Sequence, residues 1–208
     1  MGTGLRERKK QETRRLLWET AIDLFVERGF DNVAMAEIAA AANVSKTTVF
    51  NYFGSKEELV LSAGEDHVDE PARVVRTRAP GETPLAALRR HFLTALAERD
   101  PATGLSDHPT VLRVHRLINA TPSLAPRLFV ATARSQELLA AELATVTDVR
   151  TARLAAAQIA ATRMVLITEN RDRMLAGDPA DTVHPLAVLH AQEAFDLLEN
   201  GLSGVFQP

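Results

Sequence analysis

Apolar side chains in this chain recur with the period of an α-helix and almost never with that of a strand. Leu17, Ala21, Leu24 and Phe25 stand at i, i+4, i+7 and i+8, on one helical face, and Gly29 comes next, where a left-handed residue ends a helix cheaply. No sustained period-2 alternation occurs, and no hairpin dipeptide lies between β-branched runs. The expected fold class is all-α. With 208 residues, 46% of them apolar and 25% charged, the chain is long enough for two small domains and has an ordinary globular composition. It contains no cysteine, which excludes disulfides, iron–sulfur clusters and thiolate zinc sites. Its apolar runs, such as 138–141, fall far short of the ~20 residues of a membrane span. The basic start is succeeded by polar residues 11–15 instead of the apolar stretch of a secretory signal. A cytoplasmic protein without a membrane partner is expected.

A first helix is expected over about 11–28, then two short ones over 35–42 and 46–53. Met35, Ile38, Ala39 and Ala42 face inward on the second helix, and Val49 and Phe53 on the third, with Ser45 as its N-cap. Ser55 and Glu58 have the spacing of a capping box ahead of Leu59, Val60 and Ala63. Pro71, Pro80, Gly81 and Pro84 predict a helix kinked or ended near Pro71, then a short linker. Further helices are expected from Thr83-Pro84 onward, near 110–119, over 123–146, over 149–176 and over 185–202, the last stopped in the region from Gly201 to Gly204. The expected division is a three-helix domain over 1–56 and a second helical domain over 57–208.

The net charge of −3 conceals a gradient along the chain. Arg6, Arg8, Lys9, Lys10, Arg14 and Arg15 face only Glu7 and Glu12 at the start, and residues 38–56 contain Lys46 and Lys56 but no acid. From position 61 onward 15 arginines meet 18 acids, so any attraction for phosphate belongs to the first quarter. A basic run alone is ordinary for a solvated helix end, and its meaning depends on the elements next to it. Here those elements are a pair of short helices separated by Asn43-Val44-Ser45, the proportions of a helix-turn-helix, whose second helix fits the ~12 Å wide major groove of DNA. With Val44, Val49 and Phe53 turned to the core, Lys46, Thr47, Thr48, Phe50, Asn51 and Tyr52 are left outward or sideways. Ammonium, amide and phenol groups suit phosphates and base edges.

The run from Gly29 to Leu59, GFDNVAMAEIAAAANVSKTTVFNYFGSKEEL, resembles the DNA-binding domain of the tetracycline-repressor (TetR) family. That resemblance implies a homodimeric, ligand-responsive transcriptional regulator, usually a repressor, with an N-terminal helix-turn-helix domain and a C-terminal helical domain for effector binding and dimerisation. It implies that Lys46, Thr47 and Asn51 approach bases and that Phe50, Tyr52 and Lys56 pack on the DNA backbone. Ser45 and Thr48 complete the face, and the basic arm with Arg8, Lys9 and Lys10 tracks the groove. Two positions depart from the family pattern. Ala34 stands where a threonine commonly caps the second helix, and Phe50 where a tyrosine is common. Two hydroxyls are thereby missing, at a cost of ~1 kcal/mol for the cap and weaker affinity for all DNA sequences.

In the C-terminal part, Leu154, Ala161 and Val165, then Ala191, Phe195 and Leu198, belong to helices that are apolar on more than one side. On the last helix Ala187, Ala191, Ala194, Phe195, Leu198 and Leu202 form one stripe, and Leu186, Leu189 and Leu197 a second on a different face. Such helices are buried in their own core or against a second copy; periodicity leaves both open, and the family resemblance favours an isologous homodimer interface. A ligand cavity is expected among the middle helices, with His91, Phe92, His115, Asn119, Phe129, Gln158, Thr162 and Arg163 as candidates, although each alone also fits a surface or core position. No metal, cofactor or catalysis is expected. His108 and His115 are separated by Pro109 and lack a third ligand, and no GxSxG, phosphate-cradling glycine loop or HExxH occurs. The expected partners are an operator in double-stranded DNA, an unknown small-molecule effector and a second copy of the chain. Two other classes stay open: an all-α carrier or enzyme, and an architectural DNA-binding protein without ligand.

Overall fold

Ten α-helices make up the computed structural model over its described residues, 3–201. The first, α1 (Thr3–Arg28), begins about two turns before the expected start near residue 11. Its first turns carry polar helix formers and i,i+4 pairs, Arg8 to Glu12 at 3.3 Å and Arg15 to Glu19 at 3.4 Å, which favour helix without leaving an apolar stripe. Two short helices come next, α2 (Met35–Ala41) and α3 (Lys46–Tyr52), then α4 (Lys56–Leu61). The helix expected to reach Pro71 stops earlier. After α4 the chain tightens into a 3-10 segment, Ser62–His67, and Pro71 instead starts α5 (Glu70–Arg76), where its missing N–H is harmless. Beyond it lie α6 (Pro84–Ala97), capped by Thr83 as expected, α7 (Pro109–Ala120), α8 (Ala125–Leu143), α9 (Val149–Ala176) and α10 (Ala180–Asn200). Pro185 does not start α10 but lies inside its second turn, at the cost of one backbone hydrogen bond. Leu202 and Gly204 lie outside the described residues. No described helix is long and apolar enough to cross a membrane.

The chain divides into two compact units, one taking in the chain up to Ala63 together with Arg113–Arg127, the other Gly64–Leu112 and the chain from Leu128 onward. The sequence expectation put the division at 56/57, with nothing returning to the first part. The first unit has its own core. Leu17, Ala21, Phe25, Ile38, Val49, Phe53 and Leu59 are essentially inaccessible, and Val114, Leu117 and Leu124 join them from α7 and the turn after it. The second unit is built around Leu88, Phe92, Leu96, Leu105, Leu139, Met174 and Phe195. There the turn at Gly104 is pressed against α9. Its φ is +76°, and a Cβ would come within 2.2 Å of the Ile167 carbonyl oxygen, so only glycine fits. Asn170 pins the same turn by donating from Nδ2 to the Thr103 carbonyl at 2.9 Å.

Candidate nucleic-acid interface

The turn between α2 and α3 is made by Asn43, whose φ of 54° is left-handed, a region asparagine tolerates better than most residues. The Val44 N–H donates to the Ala39 carbonyl at 2.9 Å and closes the turn. Ser45 then starts α3, its Oγ accepting from the Thr48 N–H at 3.0 Å, as its position before the helix predicts. One orphan donor of a seven-residue helix is thereby satisfied.

Burial splits the helix into two sides. Val49 (0% exposed) and, just after it, Phe53 (1%) hold α3 to the core, and the Arg14 guanidinium lies 5.4 Å over the Phe53 ring. Lys46, Thr47, Phe50 and Asn51 are exposed, Thr48 and Tyr52 half-buried. Phe50 is 45% exposed, with the Lys46 ammonium 5.7 Å over its ring, so an apolar ring and a cation share the outer face. Lys56 differs from the expectation. It is half-buried, donates from Nζ to the Phe30 carbonyl at 2.7 Å, and lies 4.6 Å over the Phe30 ring. Its charge fastens α4 to the segment before α2 instead of standing free for phosphate. Arg8, Lys9 and Lys10 are exposed, but they belong to the first turns of α1 and form no arm separate from it, and Arg8 pairs with Glu12.

The missing threonine at Ala34 is partly compensated. Alanine offers no acceptor to the first turn of α2, yet Glu37 Oε2 accepts from the Ala34 N–H at 2.8 Å, so one half of a capping box is made. At α4, Ser55 Oγ accepts from the Glu58 N–H at 3.2 Å. The Glu58 carboxylate reaches the Gly54 N–H at 2.9 Å, one residue earlier than a capping box would have it.

The eight candidate effector residues are divided between the two units. His115 and Asn119 lie in the first unit, and the other six lie in the second. Phe92 is 3% exposed and packs on Phe195 with ring centroids 6.2 Å apart, so it is core and no cavity wall. Phe129 is 76% exposed; Gln158 is exposed and Thr162 half-buried. Only His91 and Arg163 are brought together, by a residue the sequence did not single out. Glu70, on α5, is buried and accepts from His91 Nε2 at 2.9 Å, with Arg163 at 3.4 Å and His67 at 3.7 Å. Burial works against the Glu70 carboxylate, but the neighbouring His67 ring, the hydrogen bond from His91 and the Arg163 charge outweigh it and hold its pKa far below the usual carboxylate range. The same carboxylate raises the pKa of His67, while burial lowers that of Arg163. Three stretches far apart in sequence, 67–70, 91 and 163, make this cluster, and only the spacing of three between His67 and Glu70 is local.

Of the proposed partner-facing residues, Leu154 and Val165 are 56% and 57% exposed, and Ala161 is exposed as well. Ala191 and Phe195, in contrast, are buried at 0% and 1% in the chain's own second core, and Leu198 is half-buried. The outward face of α10 is the other stripe, with Leu186, Leu189 and Leu197 at 37–48% exposure.

Residues 17–63 match the family model for bacterial regulatory proteins of the tetR family. The transcriptional regulator TcmR of Streptomyces glaucescens is 33% identical over 124 residues, 59% of this chain, and the chain spans 55% of TcmR's length. Among solved structures, that of native NalD of Pseudomonas aeruginosa, the secondary repressor of the MexAB-OprM multidrug efflux pump, superposes with a TM-score of 0.59 at 19% identity, covering 89% of this chain and 96% of NalD. The complex of SmeT with triclosan superposes with a TM-score of 0.60 at 18% identity, covering 95% of both chains. The matched segment and the helix-turn-helix geometry agree that residues 17–63 carry the DNA-binding domain of the tetR family of bacterial regulatory proteins, and the chain shares the all-α fold of these solved structures.

Proposed function

We propose that this chain is a homodimeric transcriptional regulator, a repressor acting in the cytoplasm, that holds a palindromic operator with the α3 helix of each copy and releases it when a small molecule occupies the second unit. The observation that carries the reading is the two-sided α3. Lys46, Thr47, Phe50 and Asn51 stand in solvent while Val49 and Phe53 are locked in the core, inside a stretch free of acidic residues. A helix held this way presents hydrogen-bonding side chains to a groove without moving, and the cations of α1 supply attraction for phosphates. The exposed apolar side chains on α9 and α10 support the second copy, which would set two recognition helices ~34 Å apart on one DNA face.

The shared fold with SmeT, whose structure is of a complex with triclosan, supports a small-molecule effector. Ligand acts by population shift: it favours a conformer with α4 swung, and only by binding that conformer more tightly. Both α7 and α8 contribute residues to the two units, so the chain passes between them inside these helices.

The test is a fluorescence-anisotropy titration of the full chain on DNA upstream of its own gene, repeated over a salt series. Sequence-selective binding that weakens steeply with salt is expected. Binding that is weak, indifferent to sequence and flat with salt overturns the reading. Lys46→Ala with Asn51→Ala separates it from an all-α carrier: the regulator loses DNA and keeps its ligand, whereas the carrier is unaffected in both.

A further inference from the structure

On the outer side of α3 one side chain has no polar group to offer DNA. The Phe50 ring is 45% exposed, whereas Val49 beside it and Phe53 one turn on are buried, so the ring is turned away from the core and into solvent. At ~100° per residue, Thr47 and Asn51 point straight outward, while Lys46 and Phe50 share one flank of that side, a single turn apart. The Lys46 ammonium lies 5.7 Å over the Phe50 ring. The other flank is occupied differently. There Thr48 is half-buried, and its hydroxyl lies 2.8 Å from Ser45 Oγ, within the cap of the helix. No carboxylate occurs between residues 38 and 56 to oppose DNA at this flank.

A ring without a hydroxyl cannot hydrogen-bond a phosphate, and it gains only from apolar surface. The edges of the bases in the major groove present donors, acceptors and one apolar group, the C5-methyl of thymine. That methyl is the outermost group of its base edge, next to the backbone of its own strand, and so faces the flank of an inserted helix. We propose that Phe50 is a specificity-determining residue that reads the C5-methyl of one thymine in each half-site of the operator. The Lys46 ammonium supplies charge attraction on the same flank, and the ring supplies the discrimination between a base edge that carries a methyl and one that does not. This inference rests on the reading of α3 as a DNA-binding helix and names what one of its residues recognises. Thr47 is exposed on the same helix and its own methyl could make such a contact, so the test separates the two.

The full chain first enriches its preferred duplex from a random-sequence pool. Each thymine of that duplex is then replaced in turn by deoxyuridine, which lacks only the C5-methyl. By fluorescence anisotropy, one thymine per half-site is expected at which the replacement weakens binding about 4-fold, the worth of one buried methyl, and about 15-fold when both half-sites are changed. In Phe50→Ala the same replacement has no effect, and in Phe50→Leu, which is still apolar, part of the effect remains. Thr47→Ser keeps all of it. Because Phe50 is outside the core, the thermal midpoint of Phe50→Ala stays that of the wild type, and its loss of methyl sensitivity reports recognition instead of folding. A preferred duplex in which no thymine responds to deoxyuridine overturns the proposal, as does a response that survives in Phe50→Ala or vanishes in Thr47→Ser; each leaves the regulator reading standing. Failure to enrich any sequence overturns both.

Discussion

At the scale of single residues, the proposed DNA complex gives the outer side of α3 and the cations of α1 different tasks and therefore different signatures. Asn51 carries an amide able to pair bidentately with an adenine edge, so Asn51→Ala is expected to cost ~1–3 kcal/mol on the preferred operator and little on scrambled DNA. Lys9→Ala or Lys10→Ala should instead weaken binding to all sequences alike and lower the salt slope by about 1, which the anisotropy series reads directly. The buried Glu70 yields a pH prediction. Its carboxyl is depressed below the ordinary value of 4.5, so its contribution to stability is present above that pH and is lost as the pH falls through the folded value. His67 is raised above its ordinary 6.5, so its contribution is complete below that pH and is lost as the pH rises through the folded value. Both act together between 4.5 and 6.5. Glu70→Gln leaves the Arg163 guanidinium buried without its counter-charge, a loss of about 3 kcal/mol. Thermal midpoints across pH should show the gap between wild type and Glu70→Gln widest in that window and narrowing on the acid side.

At the scale of elements, short helices depend on their ends. With seven residues each, α2 and α3 have too few turns to be stable alone, so each cap is a large share of what holds them. Ser45→Ala removes the acceptor for the Thr48 N–H and is expected to cost ~1 kcal/mol in urea denaturation. Ala34→Thr should work in the other direction. The backbone of Ala34 is already extended, at φ −93° and ψ 152°, and Glu37 already accepts from its N–H, so a hydroxyl would complete the box. A gain of ~0.5–1 kcal/mol is expected in the same measurement, with tighter binding to all DNA sequences from the added phosphate contact. Lys56 shows an element being positioned by a residue that elsewhere would be assigned to the ligand. Its bond to the Phe30 carbonyl ties the start of α4 to the approach to α2.

At the scale of the whole molecule, the proposed regulator requires two copies. Val165 is 57% exposed and Leu189 48%, so replacing either with glutamate removes nothing from the chain's own core. Val165→Glu is expected to leave the circular-dichroism spectrum unchanged, convert the dimer to monomer by light scattering, and abolish tight binding to a two-half-site operator while leaving weak binding to one half-site. Phe195→Glu offers no such separation, because Phe195 packs on Phe92 inside the monomer and its loss unfolds the second unit.

Sequence by itself determined what is encoded within a turn or two of chain. The all-α class, the breaks at Gly29 and Gly177, the Ser45 and Thr83 caps, and the polar side of α3 all depend on neighbours three or four residues apart, and periodicity reports such neighbours. The candidate DNA face was legible for this reason, except at Lys56, whose partner lies 26 residues away. Only the tertiary structure decided which of two apolar stripes on α10 is core, since both have helical spacing and the choice depends on what packs against them. It also placed 113–127 in the first unit and assembled Glu70, His67, His91 and Arg163 around one buried charge. Burial and charge pairing act through space, and residues that meet only after folding leave no period in the chain.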